Sequence, residues 1–448
     1  MSFADFIQRP FEIFSSSLEI LGQNIPVGAK IDAMVSQAVR GLNSSRSSSP
    51  PQGSQRLVPQ TTPAPKPAAT KIQQVEGLIL SGGGSYAAYE VGVIKALAHA
   101  KSSATNFLPW EPDVISGTSA GSLNAGLLLS VDISAGEAVK YLEQVWMQEI
   151  ASGPGKCGSG VFRFRDNPLT FLNRSCYQNP VAPFSHLFAD NVFLAQQFVD
   201  RLTKFLDSTV DLEQRSLEAV DLETLICIDP LKNLLQRTVC LDAIRRSPKK
   251  LRIAATNWER GDIRIFANAD MTDEIGHDVI QASSAIPGIF PRVDIEDTPY
   301  VDGGVLMNTP LKPAIDAGAE CLHVVFLDPE VASVPLPRLP NTVNDLVRSL
   351  LIGFSAELKR DLATAAIVNQ EVLADIKASK RMAEGSGFVA ASKASLHRQL
   401  TVHLHRPSQT LGPSWLSFDQ GLIQGAINQG YDDTANHNCK LNKCLLPS

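Results

Sequence analysis

Asp113-Val114-Ile115-Ser116-Gly117-Thr118-Ser119-Ala120-Gly121-Ser122 reads as a short apolar strand that breaks at a glycine and turns straight into an apolar helix. Within it, Gly117-x-Ser119-x-Gly121 places a serine on the corner. A sharp strand-to-helix turn holds such a serine in a strained backbone conformation with its Oγ outward, and the small flanking residues let the two chains approach. The helix N-terminus beside it favours developing negative charge. A glycine-flanked serine can also be a plain turn, so the reading leans on its strand–turn–helix setting.

Working outward, a second strand–turn–helix unit precedes it. Gly77 to Leu80 is apolar, Ser81-Gly82-Gly83-Gly84-Ser85 forms a tight turn, and Tyr89, Val93 and Leu97 then recur at helical spacing. Consecutive glycines let backbone amides converge on one point, which suits a phosphate or the oxyanion of a tetrahedral intermediate. The spacing fails the dinucleotide-binding pattern, and no phosphate-loop lysine follows. Far downstream, Val301-Asp302-Gly303-Gly304 supplies an aspartate held between a short strand and two glycines.

The rest of the chain alternates in the same way. Leu251–Asn257, Ile263–Ala267 and Leu322–Leu327 read as strands; Glu274–Ser284, Leu311–Ala317 and Val343–Lys377 read as helices. Ser134 and Glu137 have the spacing of a capping box ahead of a helix with Val139, Leu142, Val145 and Trp146 on one face. Alternation of this kind predicts an α/β fold with a mostly parallel sheet flanked by helices.

Composition narrows the function class. The 448-residue chain carries a formal net charge of -6 and no basic stripe with interleaved aromatics, which argues against nucleic-acid binding. Seven cysteines without framework spacing favour free thiols in a reducing compartment, so a cytoplasmic location is expected. The first residues show no secretory signal pattern, and no apolar stretch reaches the roughly 20 residues that span a bilayer. His437, Cys439 and Cys444 cluster near the C-terminus, but their spacing matches no common zinc pattern. The expectation is no metal and no cofactor.

The three glycine-bearing motifs in this order resemble those of the patatin-like phospholipase family. Ala282-Ser283-Ser284-Ala285-Ile286-Pro287-Gly288-Ile289-Phe290-Pro291 looks like the family's segment ahead of the aspartate, and Asn308 and Pro310 look like its continuation. The likeness spans Glu76 to Asp328 and extends toward residue 435. It implies a patatin-like fold and a lipid acyl hydrolase without a histidine, in which Ser119 is the nucleophile and Asp302 the base. The amides of Gly83 and Gly84, within the loop Gly82 to Ser85, would form the oxyanion hole. Gly117, Gly121, Gly303 and Gly304 support the motifs. One departure stands out: family members usually carry an arginine two residues after the third glycine, where this chain has Tyr86.

Two other readings stay open. A Ser-His-Asp esterase would draw its histidine from His403 or His405, with His323 inside an apolar strand a poorer choice. A patatin-like module that binds lipid without cleaving it is the other.

Residues 44–71 are rich in Ser, Pro, Gln and Ala and read as a linker, leaving an N-terminal segment 1–43 and a hydrolase domain over 72–440. Phe3, Ile7, Phe11, Phe14, Leu18 and Leu21 form an apolar stripe at helical period. The stripe invites peripheral membrane contact, whereas Asp5, Glu12 and Glu19 on the opposite face favour docking on protein.

Overall fold

The computed structural model describes residues 74–131, 134–152, 159–165, 226–327, 342–386 and 399–446, with a few helical residues between 189 and 199. The chain divides into two units, Met1–Thr70 and Lys71–Ser448, and all of these residues belong to the second. The N-terminal segment 1–43 and the linker 44–71 lie outside the described residues.

Ten strands are described, in chain order β1 Glu76–Leu80, β2 Val114–Thr118, β3 Arg163–Phe164, β4 Ile226–Cys227, β5 Lys250–Asn257, β6 Asp262–Ala267, β7 Val293–Ile295, β8 Thr298–Asp302, β9 Cys321–Val325 and β10 Thr401–His405. Eight of them form one sheet ordered β10-β9-β1-β2-β5-β8-β7, with β6 paired to β5. β10, β9, β1, β2 and β5 are parallel; β6 and β8 pair antiparallel with β5, and β7 pairs antiparallel with β8. The short β3–β4 pair lies apart. This is the mostly parallel α/β sheet expected.

Among the described residues nine α-helices with defined bounds accompany the strands: α1 Ala88–Ala98, α2 Ala120–Leu129, α3 Ala135–Gln144, α4 Asp229–Thr238, α5 Leu241–Arg246, α6 Gly276–Ser283, α7 Leu311–Asp316, α8 Thr342–Ser386 and α9 Gln420–Ala435. Apolar residues of β1, β2 and β5 pack on one side against α1, α2, α3 and α6 in the larger core. A smaller core on the other side joins Ile79, Val114, Leu322 and Val324 to α7 and Leu358 of α8. Covering of the sheet on both faces accounts for the almost unbroken burial along β1, β2 and β9.

Two details differ from the sequence reading. Ser134 does not cap α3 through its side chain; its hydroxyl donates to Glu137 Oε2 at 3.3 Å instead, and the Ala135 amide donates to Glu111. Helix α9 has no counterpart in the reading above. It is capped by Asp419, whose carboxylate accepts from the amides of Gly421 and Leu422 at 2.8 and 3.1 Å. It approaches α1 at Gly92 and Gly430, where a Cβ would fall 2.0 Å from the Ile427 carbonyl and 2.1 Å from the Tyr89 carbonyl.

The arrangement around β5 positions the site. One edge of β5 carries β2 along its first half, with Ala254 opposite Thr118, and β8 along its second half, with Ala255 opposite Asp302. β6 fills the other edge. The carboxyl ends of β2 and β8 therefore meet head-on, and Ser119 follows one while Asp302 closes the other.

Candidate active site

Ser119 joins β2 to α2 with φ +54° and ψ −128°. Positive φ in a residue with a Cβ is strained and persists only where surroundings impose it. Gly117 and Gly121 make the corner possible, because a Cβ at Gly117 would sit 2.5 Å from the Gly121 carbonyl and one at Gly121 would sit 2.5 Å from the Leu80 carbonyl. The Ser119 amide donates to Ser283 Oγ at 3.0 Å, and Ser283 donates on to the Ala254 carbonyl at 2.7 Å.

Asp302 is tied by the same segment, since its amide donates to the Ala285 carbonyl at 2.8 Å. Its Oδ1 accepts the Gly304 amide at 2.7 Å. Oδ2 is buried with no hydrogen-bond partner. The Ser119 hydroxyl is close enough to favour the ionised carboxylate, yet no bond of standard geometry joins the two groups; such bonds tighten once substrate is bound. Burial dominates and pushes the Asp302 carboxyl up to about 7, with the Gly304 amide and the Ser119 hydroxyl pulling the other way. A carboxylate poised near neutrality can take a proton from a neighbouring hydroxyl; an ordinary one near 3.9 is a poor base.

The glycine loop runs beside Ser119. Of its four amides, Gly82 donates to the Asn308 carbonyl at 3.1 Å and Ser85 donates to the Trp415 carbonyl at 2.7 Å. Those two are spent on holding the loop. The amides of Gly83 and Gly84 have no partner among the described residues. Gly84 adopts φ +56°, and a Cβ there would fall 2.3 Å from the Trp415 carbonyl, so only glycine fits.

These groups line a cavity of about 250 Å³ whose remaining lining is mostly apolar, including Ile286, Val305, Leu350, Leu351, Phe354 and Trp415. A second, smaller cavity of about 40 Å³ also borders Ser119 and is lined by Leu123, Trp146, Phe290 and Phe418. Tyr86 lines the larger cavity and donates its hydroxyl to the Gly412 carbonyl at 2.9 Å.

No described histidine lines either cavity. His403 and His405 lie on β10, stacked on His323 at 5.0 and 5.4 Å between ring centroids. Three strands (β9, β1 and β2) separate them from the β5 edge. The sequence reading did not identify Ser283, Ala285 or Trp415 as parts of the site; their contacts run over separations of 17, 164 and 330 residues.

A strained serine and a buried carboxyl, set at the carboxyl ends of an α/β sheet beneath a glycine loop, define a site suited to acyl transfer. The chain belongs to the patatin-like phospholipase family, whose model matches residues 78–315. No curated protein sequence matches it. Among solved structures, VipD from Legionella pneumophila is 15% identical with a TM-score of 0.33, over 81% of this chain and 66% of that one. The chain thus spans just under two thirds of VipD, a likeness too distant to carry a functional argument. No helix among the described residues is long and apolar enough to cross a membrane.

Proposed function

We propose that the protein hydrolyses fatty-acyl esters of membrane lipids, with Ser119 as nucleophile and Asp302 as its base. The observation that carries this reading is the buried Asp302 carboxyl, with one unpartnered oxygen, set with Ser119 in the lining of a largely apolar cavity. In the first step Asp302 takes the hydroxyl proton as Ser119 Oγ attacks the ester carbonyl. The Gly83 and Gly84 amides donate to the resulting oxyanion, each such donor being worth roughly 3–4 kcal/mol. Collapse expels the alcohol, which takes the proton back from Asp302. Water, deprotonated by the same carboxylate, then releases the fatty acid from the acyl-enzyme.

Cavity chemistry supports a fatty chain as the acyl group, since the lining apart from those groups is mostly apolar. The cavity's rim supports a lipid surface as the source of substrate. Trp258 and Val305 line the cavity and are themselves exposed, as is neighbouring Leu306. The N-terminal stripe from Phe3 to Leu21 is a further proposed membrane contact, supported by its spacing alone.

Turnover of phosphatidylcholine vesicles and of a p-nitrophenyl acyl ester tests the assignment in the wild type, Ser119→Ala and Asp302→Asn. Both variants should lose activity by orders of magnitude with unchanged folding. Turnover above about 1% of wild type in well-folded Ser119→Ala protein would reject the serine mechanism, since removing a nucleophile costs far more than that. Vesicle binding without turnover by the wild type would favour the non-catalytic module.

A further inference from the structure

The expectation of no metal rested on the spacing His437-x-Cys439-x4-Cys444, which offers three groups in an unfamiliar pattern. Folding adds a fourth. His403, at the centre of β10, comes up against the C-terminal turn, and the ligand atoms of His403, His437, Cys439 and Cys444 all lie within 4.8 Å of one another. Cys439 Sγ is 3.5 Å from His403 Nδ1 and 3.6 Å from His437 Nε2, and Cys444 Sγ is 3.4 Å from His437 Nε2.

Those distances can be compared with the edges of a tetrahedral ion. Zinc–sulfur bonds near ~2.3 Å and zinc–nitrogen bonds near ~2.05 Å, opened to the tetrahedral angle, separate N from S by about 3.6 Å. The observed edges fall within about 0.2 Å of that value. Two thiols and two imidazoles also make the donor set that selects zinc over magnesium or calcium. Both histidines are buried and both thiols half-buried, which shields the centre without closing it. The Leu404 amide already points at Cys444 Sγ at 3.3 Å, a contact that strengthens when the sulfur is a thiolate.

We propose that His403, His437, Cys439 and Cys444 form a structural zinc site. It pins the C-terminal turn onto β10, the edge strand of the sheet, where Leu445 also pairs with Val402. Four protein ligands leave no open position, so the ion takes no part in ester chemistry. Loading releases the two thiol protons and requires one rearrangement. His437 Nδ1 now faces Asn442 Nδ2 at 3.2 Å, while that amide also donates to the Leu404 carbonyl at 3.1 Å. With zinc on Nε2, Nδ1 carries the proton, so the Asn442 amide turns to present its oxygen and gives up its bond to the Leu404 carbonyl.

The test uses the full chain, purified under reducing conditions after expression with added zinc. Elemental analysis should find one zinc per chain, and a mercurial reagent should release it as the thiols are consumed. Cobalt exchanged into the site should show the visible bands of a tetrahedral ion with thiolate-to-metal charge transfer. Cys439→Ser and Cys444→Ser should each lose the metal, whereas Cys240→Ser, at an exposed thiol elsewhere, should keep it. A wild-type chain that takes up no stoichiometric zinc would overturn the proposal. So would a cobalt spectrum lacking charge transfer, zinc retained in the Cys439→Ser/Cys444→Ser double variant, or a Cys439–Cys444 disulfide in the reduced-buffer protein. The spectroscopic readout on the wild type keeps the test decisive if the cysteine variants fail to fold.

Discussion

The hydroxyl of Ser283 accepts the backbone amide of Ser119 at 3.0 Å, so the strained corner at the centre of the site is held from α6. The same hydroxyl donates to the Ala254 carbonyl at 2.7 Å on β5. Removing it leaves a buried amide and a buried carbonyl unpaired, a loss of about 1–3 kcal/mol. Ser283→Ala should therefore lower kcat by about ten- to a hundredfold if that loss falls on the reactive geometry. Ser283→Thr, which keeps the hydroxyl, should restore most of it. Equal activity in both variants would show that Ser283 does not position Ser119.

Asn308 holds Gly82 by two bonds, accepting its amide at 3.1 Å and donating from the side chain to its carbonyl at 3.2 Å. Asn308→Ala removes the second bond and frees the loop that presents the Gly83 and Gly84 amides. Loss of kcat by about tenfold or more is expected with KM little changed, because those amides matter chiefly when the oxyanion forms. Steady-state kinetics on a soluble ester would read the split.

Backbone strain at Ser119 makes a prediction that separates stability from activity. At φ +54° glycine carries no Cβ penalty, so Ser119→Gly should stabilise the fold by about 1 kcal/mol while abolishing turnover. Ser119→Ala keeps its Cβ and should leave the melting temperature close to wild type. Calorimetry on the three proteins decides, and a glycine variant that melts below wild type would contradict the strain argument.

Asp302 links activity and stability to pH with opposite signs. Activity on a soluble ester should rise with pH through about 7, as the carboxyl ionises and becomes a base. The folded carboxyl titrates near 7 against 3.8 for the ordinary group, so the folded state holds its proton more tightly. That stabilising contribution is complete below the ordinary value and is lost as pH rises through about 7. Asp302→Asn should remove this part of the pH dependence, melting at or above wild type at pH 8 while being inactive.

Much of the candidate site could be read in the sequence because each motif is a short pattern of glycines around one polar residue. Gly117, Gly121, Gly303 and Gly304 are forced by what a Cβ would strike in the same turn or on a neighbouring strand, whereas Gly82, Gly83 and Gly84 are forced by Asn308, Leu327 and Trp415, far along the chain. What escaped was held by distant partners. Trp415, whose carbonyl takes the Ser85 amide, lies in an irregular stretch with no pattern of its own. Helix α9 did leave a signal, since Ile423, Ala426, Ile427 and Gly430 follow Asp419 at helical spacing. Its three glycines, Gly421, Gly425 and Gly430, obscured it, and only Gly430 is required by the close crossing with α1. The fourth group of the proposed zinc site, His403, read only as a candidate triad histidine, because nothing in the spacing joins it to the cluster at His437, Cys439 and Cys444.

The end-to-end abutment of β2 and β8 along β5 makes the spacing of Ser119 and Asp302 a matter of residue count. Side chains alternate across a strand, so deleting one residue from β8 would send the Asp302 carboxyl to the opposite face of the sheet, and inserting two would carry it past Ser119. Shuffling whole strands between relatives should preserve the pair only when the junction falls in the loops before Thr298 or after the glycines at 303 and 304. Within β8 itself, the chain tolerates changes of side chain far better than changes of length.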